Sequence, residues 1–258
     1  MKDLLKLLEQ LLPSDASRPP RLVRLPDDRP IVFVGDLHGD RDAVETVLSR
    51  FPVPDHVIVF LGDIVDRGPD SLGALRLVLE RKSEAPSLVH LLMGNHEARA
   101  VSRFSPADFW DSLPQDQSEE LAHHLAKLPL AAWHPAGTLA THGGLPNLRS
   151  LDAIDEIELG SEAWRAATWG DWVSDRRFAG RFEGRPTFGP TAFEERSSQL
   201  GGKVHIRSHQ PTAPLYLFDE RCLTLFTSIA YGGHTRRVAR LAPGQRIETA
   251  RDLQLIEI

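Results

Sequence analysis

At 258 residues the chain is long enough to bury a large core without covalent staples, and its single cysteine, Cys222, excludes a disulfide framework. A net charge of −6, with no run of more than two basic residues, argues against a nucleic-acid partner. No apolar stretch approaches the ~20 residues of a membrane span, so a cytoplasmic protein with no membrane partner is expected.

In chain order, Leu4, Leu5, Leu8, Leu11 and Leu12 line one face of an amphipathic helix that Pro13 stops. That helix is expected to pack on the domain. Pro19, Pro20, Pro26 and Pro30 make residues 13–30 an extended connector. Residues 1–30 therefore read as a helix and connector, and residues 31–258 as one domain. Apolar runs at 31–34, 57–61 and 88–92 alternate with helical spacing at 40–50 and 71–81. Such alternation implies right-handed βαβ units in a parallel sheet. Residues 98–128 read as helical and polar, with 118–127 the clearest helix. Strand-like runs follow at 139–142, 204–206, 215–218, 222–226 and 237–241. They predict a second, mixed or antiparallel sheet packed on the first, with helices outside.

Six short motifs are strung along this frame: Gly35-Asp36-Leu37-His38-Gly39, Gly62-Asp63-Ile64-Val65-Asp66-Arg67-Gly68, Gly94-Asn95-His96-Glu97, His142-Gly143-Gly144, Arg207-Ser208-His209-Gln210 and Ala230-Tyr231-Gly232-Gly233. The first three follow strands, where open α/β sheets place their sites. Asp36, His38, Asp63, Asn95, His142 and His209 mix oxygen and imidazole donors, a set that suits Mn, Fe, Zn or Co better than Ca or Mg. Two metals held ~3.5–4 Å apart acidify water and neutralise phosphoryl oxygens, which is what hydrolysis of a phosphate ester requires. Any one motif alone is weak, since Asp36 in its turn could simply cap a helix. Together and in order they are hard to explain structurally, because buried carboxylates are costly without a cation.

The ordered motifs resemble the phosphoprotein phosphatase (PPP) family of metallophosphatases over roughly residues 31–241. The resemblance implies a calcineurin-like α/β/β/α sandwich of two mixed sheets flanked by helices, and two divalent transition metals, Mn²⁺ first, with Fe, Zn or Co as alternatives. It puts Asp36, His38 and Asp63 on one metal, with Asp63 bridging to a second held by Asn95, His142 and His209. It makes His96, oriented by Asp66, the general acid, and Arg67 a catalytic phosphate grip. Asn95, Tyr231 and a second arginine complete the substrate contacts, and Asp171 supports the site. Arg185 is favoured over Arg181 for that arginine, although neither stands at the family's usual offset. Met93 and Gly232 stand where eukaryotic members carry an arginine and a cysteine. Both departures point to a bacterial-type branch and argue against regulatory subunits.

The implied function is hydrolysis of phosphoserine and phosphothreonine on proteins by direct attack of a hydroxide held by the dinuclear centre. A phosphotyrosine-preferring phosphatase is one alternative. A dinucleoside polyphosphate (diadenosine tetraphosphate) hydrolase is another, and Asp66 argues against it, since those relatives typically lack that residue. A non-catalytic metal-binding adaptor predicts a missing ligand, and none is missing. The other histidines, including His90, His134 and His205, read as surface or satisfied core residues, while His234 lies close enough to Tyr231 to be weighed as a substrate contact.

Overall fold

The structure, a computed structural model, describes residues 1–12, 19–174, 184–232 and 235–258, together with the backbone of 180–182. Its first sheet is built on β2 (Ile31–Val34), β3 (Val57–Phe60) and β4 (Val89–Leu91), which pair in parallel. The connecting helices are α2 (Arg41–Arg50) and α3 (Ser71–Glu84). Asp40 caps α2 by accepting from Ala43 N at 3.1 Å, and Asp70 caps α3 by accepting from Gly73 N at 2.8 Å. Each cap is worth about 1 kcal/mol.

The second sheet runs β1 (Leu22–Arg24), β5 (Ala131–His134), β6 (Thr138–Thr141), β10 (Val204–Arg207), β12 (Cys222–Thr224) and β11 (Tyr216–Leu217). Strands β6, β10 and β12 are parallel to one another, whereas β5 and β11 run antiparallel to their neighbours β6 and β12. This is the mixed second sheet expected from the sequence. A small third sheet joins β7 (Asp171–Trp172), β9 (Arg185–Phe188) and β8 (Gly180–Phe182).

Side-chain alternation fixes the layers. Ile31, Phe33, Val57 and Val59 cluster with Ala140, Ile206 and Leu223 between the sheets. Val32, Val34, Ile58 and Phe60 point the other way, into the core with Val44, Val47, Leu75 and Leu79 of the helices. Both faces of β2 and β3 are therefore buried, which is why these strands read as unbroken apolar runs. Each such side chain contributes about 1.5–3 kcal/mol by leaving water. The result is the calcineurin-like α/β/β/α sandwich.

The N-terminal helix α1 (Lys2–Leu11) buries Leu4, Leu5 and Leu8 and contacts α3 and α5 (Gln115–Leu125). Within the proline-rich connector, Leu22–Arg24 forms an edge strand on β5. No helix among the described residues is long and apolar enough to cross a membrane.

Several expectations need correction. Residues 237–241 belong to the first sheet: β13 (Arg237–Leu241) pairs antiparallel with β2, and β14 (Gln254–Glu257) with β13. The parallel run β2–β3–β4 leaves one side of β2 open, and the returning chain covers those unpaired backbone groups. The stretch 98–128 is less helical than its polarity suggested: besides α5, only α4 (Asp108–Asp111) is α-helical there. Helices α6 (Glu162–Trp169) and α7 (Pro190–Leu200) were not anticipated.

Candidate active site

The parallel strands of both sheets end at one edge of the sandwich. Asp36 and His38 follow β2, Asp63 to Arg67 follow β3, Asn95 and His96 follow β4, His142 follows β6, and His209 follows β10. A parallel bridge between Asp36 and Phe226, beyond β2 and β12, stitches the two sheets there.

The imidazoles are aimed by the backbone. His38 Nδ1 lies 3.1 Å from Val65 O, and His142 Nδ1 lies 3.0 Å from Leu61 O. A carbonyl only accepts, so both Nδ1 atoms carry protons and Nε2 is the atom left to face the carboxylates. His38 Nε2 is 3.5 Å from Asp36 Oδ2 and 3.7 Å from Asp63 Oδ2. His142 Nε2 is 3.3 Å from Asp63 Oδ2, 3.1 Å from Asn95 Oδ1 and 3.2 Å from His209 Nδ1. Donor atoms of His38, Asp63 and His96 lie within 4.8 Å of one another, as do those of Asp63, His142 and His209, so Asp63 belongs to both groups.

These residues fit divalent metals. Asp36 Oδ2 is a buried atom with no hydrogen-bond partner among the described residues, and His209 presents Nδ1 to the cluster while its Nε2 lies 3.6 Å from Asp171 Oδ1. Burial alone would lower the His38 pKa, but the Asp36 carboxylate beside it and the charge of Asp63 raise it to about 9. Burial pushes Asp63 upward, yet the neighbouring His142 and His96 charges hold it well below the ordinary carboxylate value. Buried carboxylates here are balanced by imidazole protons, and a divalent cation would supply the same balance with matched donors.

Asp66 is fully buried and holds His96 Nδ1 at 2.6 Å through Oδ2, while Oδ1 accepts from Phe109 N at 2.8 Å. His96 N donates to Asp63 Oδ1 at 2.9 Å, and Trp110 Nε1 donates to His96 O at 3.0 Å. The ring is thereby fixed, with Nε2 turned toward Asp63 Oδ2 at 3.9 Å and the Phe104 ring centroid 4.5 Å away. Arg67 is exposed, and its backbone N donates to Asp108 at 3.1 Å. The Tyr231 hydroxyl lies 3.5 Å from His38 Nε2. Arg185 sits at the rim, 3.9 Å from Asp171 Oδ2 and 5.8 Å from the Trp169 ring. The side chain of Arg181 and the whole of His234 lie outside the described residues.

Sequence reasoning missed several supports. Glu97 is fully buried and accepts from Asp63 N at 2.7 Å, Ile64 N at 2.9 Å and Gly94 N at 3.0 Å. It staples the turn after β3 to the turn after β4. Its place in Gly94-Asn95-His96-Glu97 was the available signal. Arg236 clamps Asp40 with bonds of 2.9 and 2.6 Å, and Asp40 also accepts from Ile229 N at 3.1 Å, anchoring the loop that carries Tyr231. Gly94 is required by close approach, since a Cβ there would lie 2.2 Å from Asp63 Oδ1. Among the described non-glycine residues, φ is positive at His38, Asp63, Asp66, Arg67 and His209, and otherwise only at the turn of Phe218, Asp219 and Glu220. Left-handed backbone in ordinary residues gathers at functional sites.

Glu97→Gln is expected to destabilise the protein by about 2–3 kcal/mol, because the amide replaces one accepting oxygen with a group that presents N–H to N–H. Denaturant unfolding of the metal-free chain measures this, and an unchanged midpoint would refute the stapling role.

A buried cluster of carboxylates, imidazoles and an amide at converging strand ends defines a metallophosphatase. The chain belongs to the calcineurin-like phosphoesterase family, whose model matches residues 29–213, and it is a metal-dependent phosphatase. It is 28% identical over 228 residues to the serine/threonine-protein phosphatase 6 catalytic subunit of Caenorhabditis elegans, covering 80% of this chain and 67% of that protein. It is 35% identical over 136 residues to the PP2A-like serine/threonine-protein phosphatase PPG1 of Saccharomyces cerevisiae, covering 50% of this chain but only 37% of the yeast protein. A protein serine/threonine phosphatase structure from Saccharomyces cerevisiae superposes with a TM-score of 0.82 at 23% identity, covering 99% of this chain and 89% of that one. That last likeness shows a shared fold.

Proposed function

We propose that the chain removes phosphate from phosphoserine and phosphothreonine on protein or peptide substrates in the cytoplasm. The carrying observation is the buried His96–Asp66 pair, 2.6 Å apart, set beside the carboxylate shared by both donor groups. Asp36, His38 and Asp63 would hold one metal, and Asp63, Asn95, His142 and His209 a second, with Mn²⁺ the favoured ion. Such ions supply acidified water and charge that neutralises phosphoryl oxygens.

This chain's own residues supply the rest. Arg67 is exposed beside the cluster, and its planar guanidinium suits two phosphate oxygens at once. Tyr231 flanks the phosphate from the His38 side, and Arg185 approaches from the Asp171 side. His96 delivers a proton from Nε2 to the departing serine or threonine oxygen, because an alkoxide leaves poorly unless protonated as the bond breaks. Asp66 keeps Nδ1 protonated and the ring aimed. Such an acid serves a monoester with a poor leaving group. A polyphosphate, whose leaving group is already stable as an anion, has less need of one. The similarity to two serine/threonine phosphatases supports the same reading.

The test compares kcat/KM in Mn²⁺ for phosphoserine, phosphothreonine and phosphotyrosine peptides and for diadenosine tetraphosphate. The proposal expects the first two to exceed the others. A preference for phosphotyrosine would redirect it to the aryl ester, and faster cleavage of the dinucleotide would sink the monoesterase reading.

A further inference from the structure

Behind the cluster lies a chain of buried polar side chains that the chemistry above does not use. Trp172 Nε1 is 3.1 Å from His205 Nδ1, and His205 Nε2 is 2.8 Å from Thr141 Oγ1. Thr141 Oγ1 is in turn 3.1 Å from Gly144 O and 3.3 Å from Gly143 O. All three side chains are essentially inaccessible to water: Trp172 is 1% exposed, His205 1% and Thr141 0%.

The direction of every bond follows from the groups themselves. An indole N–H only donates, so His205 Nδ1 is an acceptor without a proton. The thiol of Cys222, 3.7 Å from the same nitrogen, also faces it as a donor, since burial pushes that thiol up to about 12. The imidazole proton therefore sits on Nε2 and is donated to Thr141. The threonine hydroxyl, accepting from Nε2, turns its own hydrogen to the carbonyls of Gly143 and Gly144, which can only accept. Those residues form the turn directly after His142, and their N–H groups donate to Ala167 O at 2.7 Å and Ala166 O at 2.9 Å. The turn is thus held on both its donor and its acceptor sides.

At the other end of the chain stands β7. Its first residue, Asp171, lies 3.6 Å from His209 Nε2, and its second, Trp172, starts the relay. We propose that Trp172, His205 and Thr141 form a one-way hydrogen-bond relay that sets the turn after His142, so that the two-residue strand β7 positions both imidazoles of the second metal site. The three are positioning residues. None touches substrate. This inference rests on His142 and His209 being metal ligands, as proposed above.

The relay predicts chemistry-specific effects at nearly constant shape. Thr141→Val removes the hydroxyl and leaves the His205 proton without an acceptor. His205→Phe removes both bonds. Thr141→Ser and His205→Gln restore them, since serine keeps the hydroxyl and the glutamine amide can accept from the indole and donate to the threonine. Metal-free full-length protein would be titrated with Mn²⁺ by calorimetry, alongside kcat, KM and thermal unfolding without metal. Thr141→Val and His205→Phe are expected to weaken one of the two Mn²⁺ steps about 10- to 100-fold and lower kcat more than they change KM. Thr141→Ser and His205→Gln should return both readouts most of the way. The proposal is overturned if Thr141→Val lowers metal-free stability yet leaves Mn²⁺ affinity and kcat untouched, which is a purely structural role. Equal losses in Thr141→Val and Thr141→Ser would also overturn it. A His142→Ala control separates the two levels: if it binds Mn²⁺ normally, the ligand assignment fails and the relay loses its object.

Discussion

Asp63→Ala is expected to abolish binding at both metal positions and with it all measurable turnover. Asp63 is the one carboxylate common to both donor groups: its Oδ2 lies 3.3 Å from His142 Nε2 and 3.7 Å from His38 Nε2. Under the proposed ligand assignment, removing it would take a ligand from each ion and also the charge that would hold two dications together. Its other oxygen accepts from His96 N, so the turn bearing the acid loosens as well. The expected effect is thus larger than that of a ligand at one ion, such as His38, whose loss leaves the second donor group whole. Elemental analysis after gel filtration gives the count. Two retained metals per chain would refute the bridging role, whatever happened to the rate.

His96→Asn is expected to retain both metals while lowering turnover of alkyl phosphoesters about 10²–10⁴-fold, the range for general acid catalysis. Asp66→Asn should fall in the same range, because an amide in place of the carboxylate sets N–H or a weaker acceptor against His96 Nδ1, now 2.6 Å from its partner. The diagnostic is the leaving group. An aryl ester such as p-nitrophenyl phosphate departs without help and should lose far less rate than phosphoserine. An equal loss on both substrates would mean that His96 acts through phosphate or metal binding. That alternative has a geometric basis, since His96 falls in one donor group with His38 and Asp63.

Most of the candidate site was legible in the sequence because its residues sit in short runs where the chain leaves a strand. Asp36 and His38, or Asp63, Asp66 and Arg67, need only one turn each to arrive together. Supports that act across long separations were not legible. Glu97 closes the motif Gly94-Asn95-His96-Glu97, but nothing in that run says that it bonds the backbone of Asp63 and Ile64, 34 and 33 residues away. His205 read as a satisfied core residue. It is one, but its bonds lead to the His142 turn through strands that are not neighbours in sequence. The same limit explains β13: alternation of apolar residues over 237–241 reveals a strand, while its partner β2 lies two hundred residues earlier. Helix α7 begins at Pro190, a residue tolerated in a helix's first turn because the N–H it lacks would have no partner there.

The left-handed backbone at His38, Asp63, Asp66, Arg67 and His209 carries a consequence for how such a protein can change over time. Each of these residues costs roughly 1–2 kcal/mol relative to an ordinary conformation. Together they approach the ~5–15 kcal/mol net stability of a typical domain. Glycine would relieve the backbone at any one of them, and would delete a proposed metal donor, acid partner or phosphate grip in doing so. A lineage adapting to heat therefore has little room at the strand ends and must look to the sandwich interior, the helix caps and the sheet edges instead. The loops between the strand ends are under no such restraint, so substrate preference can drift while the inorganic chemistry stays where it is.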